Sequence, residues 1–487
     1  MASCGSDDDI TAVNTSAPTR APEASGAPSA TDAATSLPET TDQPAPDTTA
    51  RGASAAPGLD PAFGTDGLLA TPITATDDDR FISVVEGPDG LIYASGFTAI
   101  GDDHAFAVSR FNPDGTADDA FGDGGTATVN VTVGGGGAEA ARGLVVHDDG
   151  KVVVAGSFEK DPTADGQAAG DLDVAVVRLE PNGTPDATFG EGGIARIDLG
   201  AGRSIDAETY ITDNAWGLTA RAGGYAAFAV TPNQDPDRTD ADYAIVGLTD
   251  TGALDPTFGT GGVVIADVDA SGDSARNIST DAAGNIVANG YSRDGDGIVS
   301  PVLVKVDAQG VLDESFGDGG IANHIVLPGV TESYNFDLQG DNYILAGYGR
   351  GEDTEATVDM VVYRFLADGS LDASFGAGGV TQVDLAGEDD RARNVTVLPN
   401  GNILVVGSGK LDADNVDALV VMLDLDGAPL TSFGAEGHVL VDLGGSGDAF
   451  FGVTLLADAS GALLAGYKGA DPDGAENDDA YLARVAL

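Results

Sequence analysis

A nine-residue motif recurs seven times after residue 58, and that recurrence rules out a chain of unrelated domains. It reads LDPAFGTDG from Leu59, ADDAFGDGG from Ala117, PDATFGEGG from Pro185, LDPTFGTGG from Leu254, LDESFGDGG from Leu312, LDASFGAGG from Leu371 and PLTSFGAEG from Pro429. The motif phenylalanines, Phe63, Phe121, Phe189, Phe258, Phe316, Phe375 and Phe433, are 58, 68, 69, 58, 59 and 58 residues apart. Self-similarity at a fixed period marks a repeat architecture, in which each unit buries its apolar face only against its neighbours.

The interior of each unit is built alike, as in ARGLVVHDDGKVVVAG from Ala141 and DVAVVRLEPNGTPDATFG from Asp173, with an acidic loop between them. Short β-branched runs are separated by Asp149-Gly150, Asn182-Gly183 and Asn400-Gly401, where glycine takes the positive φ of a tight hairpin. This predicts four strands per unit, near Leu144–His147, Val152–Gly156, Val174–Leu179 and Ile194–Leu199 in the second unit. No stretch keeps a 3.6-residue apolar period, so helices are expected to be nearly absent. Seven four-stranded antiparallel units of about 60 residues read as an all-β, seven-bladed β-propeller over residues 58–487, a ring without long exposed sheet edges. The array opens with a lone fourth strand, Gly67 to Ile73, and stops after a third strand, Ala480 to Leu487. Those two strands are expected to pair and close the last blade.

Composition adds limits. Of 487 residues, 79 are acidic and 22 are Lys or Arg, a net charge of −57, so a nucleic-acid partner is not expected. Residues 1–57 hold 8 acids and 2 bases, net −6, which leaves 71 and 20, net −51, for the remainder. The acidity therefore belongs to the folded part. Residues 1–57 are Ala, Ser, Thr, Pro and acid with almost nothing to bury, and read as a disordered tether. Its start, Met1-Ala2-Ser3-Cys4-Gly5-Ser6, resembles that of a mature bacterial lipoprotein. The resemblance implies lipidation at Cys4 and a place in the cell envelope or outside the cell. The lone cysteine allows no internal disulfide and no cysteine-rich metal site, and no apolar run approaches the ~20 residues of a membrane span.

The repeated LDPSFG-type motif, its glycine pair and the later Asp-Gly turn resemble the delta-60 repeat proteins over nearly all of residues 58–487. That resemblance implies a β-propeller more than any activity. The third unit departs from the pattern: its second strand, AAFAVTP, lacks the glycine present elsewhere as Gly96, Gly156, Gly290, Gly347, Gly407 and Gly466. It is expected to be irregular.

Catalytic patterns are missing: there is no G-x-S-x-G elbow, no phosphate loop and no H-E-x-x-H pair. His104, His147, His324 and His438 occupy unrelated repeat positions and read as surface or strand residues. Trp216 is the sole tryptophan, too few for the docking motifs of a quinone-dependent dehydrogenase. No catalytic residue is assigned. One position of the first strands stands out when they are aligned, holding Arg80, Arg142, Trp216, Arg276, Tyr334, Arg393 and Phe451. Lys and Arg together are under 5% of the chain, so four arginines in seven places exceed chance. These seven are expected to ring the mouth of a central channel. There they either hold a carboxylate, sulfate or sugar, or clamp each blade to the next.

Acidic loops between the second and third strands form the other candidate constellation. Asp161, Asp165, Asp235, Asp237, Asp294, Asp296, Asp412, Asp414, Asp471 and Asp473 offer the oxygen-only chemistry of calcium, though none matches an EF-hand loop and a plainly solvated surface is the competing reading. Asp173, Asp242, Asp359, Asp417 and Asp479 recur before the third strand and read as hydrogen-bond anchors within a blade. The leading functional expectation is an exported, lipid-anchored, monomeric binding scaffold. Its loop face would meet an extracellular protein, a polysaccharide or a small anionic ligand. The alternatives are a calcium-assisted hydrolase or lyase using channel acids such as Asp78, Asp79, Asp273, Asp389 and Asp390, and a calcium-stabilised structural repeat.

Overall fold

A computed structural model describes residues 58–74, 78–101, 103–132, 139–159, 171–200, 202–204, 210–235, 237–268, 272–412, 415–469 and 478–487. No helix occurs among them. Strands follow one order throughout. Unit 1 is Asp79–Glu86, Ile92–Ile100, Asp103–Phe111 and Thr126–Val129; unit 2 is Ala140–Val146, Val152–Glu159, Leu172–Leu179 and Ile194–Ile197. Unit 3 is Asn214–Arg221, Gly224–Pro232, Ala241–Thr249 and Val263–Ala266; unit 4 is Asp273–Thr280, Ile286–Arg293, Val299–Val306 and Ile321–Asn323. Unit 5 is Val330–Gln339, Asn342–Arg350, Asp359–Phe365 and Val380–Val383; unit 6 is Arg391–Val397, Ile403–Asp412, Asn415–Leu423 and His438–Val441. In unit 7, Ala449–Leu455, Gly461–Lys468 and Asp479–Ala486 are completed by Leu68–Ala70 from the other end of the array, with Leu69 opposite Leu482. Units 4 and 5 count as one eight-stranded sheet through a parallel pairing of Val299 with Val330. A two-stranded ribbon, Arg203–Ser204 with Tyr210–Ile211, precedes unit 3.

The second and third strands are buried on both faces, as in VVVAGSFE and LDVAVVRL of unit 2, which explains their continuous rather than alternating apolar character. The core lies between sheets. One cluster joins Phe228, Tyr243 and Phe258 of unit 3 to Ala275, Ile278 and Val302 of unit 4. First strands of successive units lie side by side, and that of unit 7 lies beside that of unit 1.

The FG motif joins each unit to the next. Its phenylalanines are fully buried in six motifs, and in five of them the following glycine donates its N–H to a turn of the next unit: Gly122 to Asn182, Gly190 to Thr251, Gly259 to Gln309, Gly317 to Asp368 and Gly376 to Asp426. A cation lies over each of these rings and pairs with the motif aspartate. Arg178 sits 4.7 Å from the Phe189 ring and donates to Asp186 at 2.7 Å; Arg110 does the same with Phe121 and Asp118, and Arg364 with Phe375 and Asp372. Lys305 serves Phe316 and Asp313, and Arg484 serves Phe63 and Asp60. Unit 3 has Gly247 at that strand position, and Arg221 reaches in from the first strand to Phe258 and Asp255 instead. In unit 6 the cation is Met422, the aspartate is Leu430, and Phe433 is only half-buried. Cation and carboxylate are lost together, as expected for a pair in which either partner alone would be a poorly compensated charge.

The six second-strand glycines answer a close backbone approach. A Cβ at Gly156 would lie 1.8 Å from the Ala140 carbonyl oxygen, and one at Gly407 would lie 1.9 Å from that of Arg391. Unit 3 carries Ala229 there, yet it keeps four strands, the same pairing (Ala229 opposite Ala215) and the same register shift as the other units.

Candidate functional site

Every first strand slips by one residue against its second, between Phe81 and Ser83, Ala141 and Gly143, Ala215 and Gly217, Ala275 and Asn277, Ser333 and Asn335, Ala392 and Asn394, and Phe450 and Gly452. A bulge of this kind leaves one residue unpaired and turns its side chain out of the sheet's alternation. The unpaired residues are Ile82, Arg142, Trp216, Arg276, Tyr334, Arg393 and Phe451. Six of the seven expected ring residues thus share one position, and Arg80 does not: it stands two residues before the bulge. Phe81 pairs with Gly96 as Ala141 pairs with Gly156, so Ile82 holds the position in unit 1.

Cations and rings alternate along that position. Arg142 lies 4.1 Å from the Trp216 ring, Arg276 lies 4.2 Å from it and 4.6 Å from Tyr334, and Arg393 lies 4.5 Å from Tyr334 and 5.0 Å from Phe451. Phe451 stacks on Tyr467 at 5.7 Å, and Arg80 covers Tyr467 at 4.1 Å while donating to Asp478 at 2.7 Å. The chain of contacts crosses from unit 2 to unit 7 and reaches unit 1 through Arg80. Arg276 is 5% exposed and donates to Ser274 Oγ, the Ala275 carbonyl and the Tyr291 hydroxyl; Glu332, 4.0 Å away, accepts from Tyr348. Each cation–ring contact of this sort contributes about 0.5–2 kcal/mol, more where desolvated. The arrangement can bind unit to unit, and its exposed edges can meet an anion or a sugar face.

Three residues before each bulge stands a second repeated group: Asp79, Glu139, Asp213, Asp273, Thr331, Asp390 and Asp448, all buried. Each accepts backbone N–H bonds from the segment that leaves the preceding unit's fourth strand. Ile73 and Thr74 donate to Asp79, Val131 and Thr132 to Glu139, Leu199 and Gly200 to Asp213, Leu385 to Asp390, and Leu443 to Asp448. Asp79, Asp273 and Asp390, considered above as channel acids, are therefore joints between units. Burial pushes Glu139 and Asp213 up to about 7 and Asp390 and Asp448 up to about 6, against the backbone N–H bonds that favour the charged form. A carboxyl raised in the folded state stabilises most below its unfolded value near 4, and that stability fades as pH rises through 6 to 7. Asp255 runs the other way, held at about 2 by the Thr257 hydroxyl and then by Arg221; its contribution is lost only in strong acid. Self-repulsion at net −57 also weakens the fold at neutral pH. The melting temperature is expected to rise as pH falls from 8 to about 5 and to drop below about 4. A melting temperature that climbs steadily to pH 8 would contradict this.

Some of these acids converge. Asp173, Asp198 and Asp213 bring carboxylate oxygens within 4.8 Å of one another, as do Asp417, Asp442 and Asp448, and Asp240, Asp242 and Asp267. In the first two sets the third carboxylate comes from the following unit, so Asp173 and Asp417 also face a neighbour, while Asp417 accepts from Asn415 Nδ2 and Asp242 from Asn233 Nδ2 within their own units. Oxygen-only sets of this kind suit calcium. In the third set Arg238 already bonds Asp240 and Asp267 and lies 3.9 Å from Asp242. The loop residues expected to bind calcium are elsewhere. Asp235 and Asp237 are exposed, with Asp235 accepting the Asp237 N–H, and Asp294 accepts the N–H groups of Asp296 and Ile298. Asp412 ends a strand, and Asp161, Asp165, Asp414, Asp471, Asp473 and Cys4 lie outside the described residues. Among the described histidines, His147 bonds the Tyr225 hydroxyl, and His324 bonds the Gly369 carbonyl and packs on Phe365; neither joins an acid set.

A family described as a domain of unknown function (DUF5122) beta-propeller matches residues 87–121, 147–189 and 339–375. With the sheet order above, that match supports a β-propeller repeat fold. No curated protein matches the chain. Solved structures of similar form include a protein of unknown function from Dyadobacter fermentans DSM 18053, at 10% identity and a TM-score of 0.44, covering 86% of this chain and 99% of that one. The polysaccharide lyase Uly1 (10%, 0.45, covering 86% and 91%) and Drosophila Semaphorin 2a (9%, 0.44, covering 86% and 76%) are others. At these scores the likenesses carry no functional information.

Proposed function

We propose that the seven units close as a seven-bladed propeller of the delta-60 repeat kind, exported and tethered through Cys4, which serves as a binding scaffold for an extracellular polymer. The observation that carries this reading is the placement of the repeated polar groups. The Asp–cation–Phe clamps, the buried lead-in acids and the cation–ring wreath each join one unit to the next, which makes a rigid platform for loops. Fold alone assigns no activity. The test is a purified chain titrated against immobilised extracellular polysaccharides and proteins. Saturable binding that leaves the polymer intact and weakens by degrees as loops of several units are exchanged is the expected result. Shortened polymer, abolished by changing one acid such as Glu332 while folding survives, would favour an enzyme instead.

A calcium-stabilised platform is the second reading, favoured by the two carboxylate sets that span units. Calcium at about 100 times its dissociation constant would add roughly 2.7 kcal/mol of stability. The expected outcome is a melting temperature that rises with calcium, falls back on chelation, and no longer responds when Asp198→Asn and Asp442→Asn, one change in each set, are combined. An unchanged melting temperature in calcium would remove this reading and leave the scaffold standing.

A further inference from the structure

Inside the ring of first strands lies a partly open cavity of about 230 Å³, lined by residues of all seven units. The residue after each bulge decides its character: Ser83, Gly143, Gly217, Asn277, Asn335, Asn394 and Gly452. At Gly143 and Gly217 no side chain fits, because a Cβ would fall 2.6 Å from the Leu218 nitrogen and 2.9 Å from that of Ile278. Units 4 to 6 admit asparagine, so the lining carries amides and the Thr396 hydroxyl, while Val84 and Leu218, which also border it, bury their side chains in the cores between sheets.

We propose that this cavity binds a single neutral sugar ring. Asn277 donates through Nδ2 to Asn335 Oδ1 at 2.5 Å, and that oxygen also accepts the Phe336 N–H at 2.7 Å. Asn277 Oδ1 is left as an acceptor and Asn335 Nδ2 as a donor, side by side. Two neighbouring hydroxyls, each both donor and acceptor, match that pair in a way that an ammonium or a carboxylate does not. Asn394 is turned away, donating to the Phe451 carbonyl at 2.9 Å. The charged groups of the lining residues are engaged elsewhere: Asp337 Oδ2 accepts from Val397 N–H and the Thr396 hydroxyl, and the Arg142 guanidinium lies over the Trp216 ring. Neither an anion nor a cation is preferred. The volume, equal to roughly eight waters at about 30 Å³ each, suits one ring.

This inference deepens the scaffold reading and rests on its closed ring. The experiment is ligand-observed NMR and calorimetry on the full chain with glucose, galactose and mannose, and with glucuronate and glucosamine as charged counterparts. At least one neutral hexose should bind saturably, with a dissociation constant on the order of 1 mM, and the charged sugars no more tightly. Asn335→Leu, which removes the free donor, should weaken binding at least about tenfold, and Thr454→Phe should block the cavity while leaving both amides in place. Thermal melts confirm that each variant folds. Failure of every neutral hexose to bind at about 50 mM, tighter binding of a charged sugar, or undiminished binding by both folded variants would overturn the proposal. Polymer binding through the loops without any hexose affinity would overturn it too, and would leave the scaffold reading intact.

Discussion

A chain that stops at Ala480 is expected to lose its cooperative thermal transition altogether, not a seventh of it. The strand Asp479–Ala486 lies inside its sheet, paired with Gly461–Lys468 on one side and Leu68–Ala70 on the other. Leu482, Ala483 and Val485 are fully buried, and Arg484 is the cation that clamps Asp60 and Phe63. Deleting Tyr481–Leu487 frees two strand edges and opens the contact of unit 7 with unit 1, so each remaining unit loses the constraint that holds its neighbours in place. Loss of near-ultraviolet circular dichroism and of a sharp melting endotherm is the readout. A shortened chain that still melts sharply, with only a proportionate loss of enthalpy, would mean that the units are stable as an open array.

Phe258→Ala is expected to cost about 3–5 kcal/mol in urea unfolding, as for a fully buried aromatic that leaves a cavity. The ring fills space left by Gly247, where a Cβ would stand 2.4 Å from it, carries the Arg221 guanidinium at 4.9 Å, and abuts the Gly310 turn of the next unit. Phe433→Ala supplies the internal comparison, since that ring is half-buried and has Met422 and Leu430 in place of cation and carboxylate. It should cost well under half as much. Equal losses would show that the clamp adds nothing to the burial of the ring.

Local features were the legible ones. Turn glycines and β-branched runs announce the hairpins of Gly150 and Gly183 within a few residues, and the FG motif marks the period. The clamp was legible too, because Arg110 and Asp118, Arg178 and Asp186, Lys305 and Asp313, and Arg364 and Asp372 all stand eight residues apart. It goes unnoticed when strand and motif are read separately. Aligning the first strands by their arginines misplaced Arg80, whereas the glycine opposite the bulge would have pointed to Ile82. The lead-in acids were hidden because their partners are backbone N–H groups of another unit, which leave no mark on residue type. Convergence of Asp417 and Asp442 with Asp448 depends on how consecutive sheets stack, and the linear pattern holds no record of that.

Closure of the ring by its two ends is the central claim, and a cross-link tests it most directly. Ala70 and Tyr481 face each other in the closing pair. Antiparallel neighbours stand about 4.5–5.5 Å apart at Cα, within disulfide reach. In a Cys4→Ser background, Ala70→Cys with Tyr481→Cys should oxidise to a single intramolecular disulfide, found by mass spectrometry in the folded monomer, and should raise the melting temperature. Two free thiols in a folded monomer, or linkage only between molecules, would contradict the closed ring.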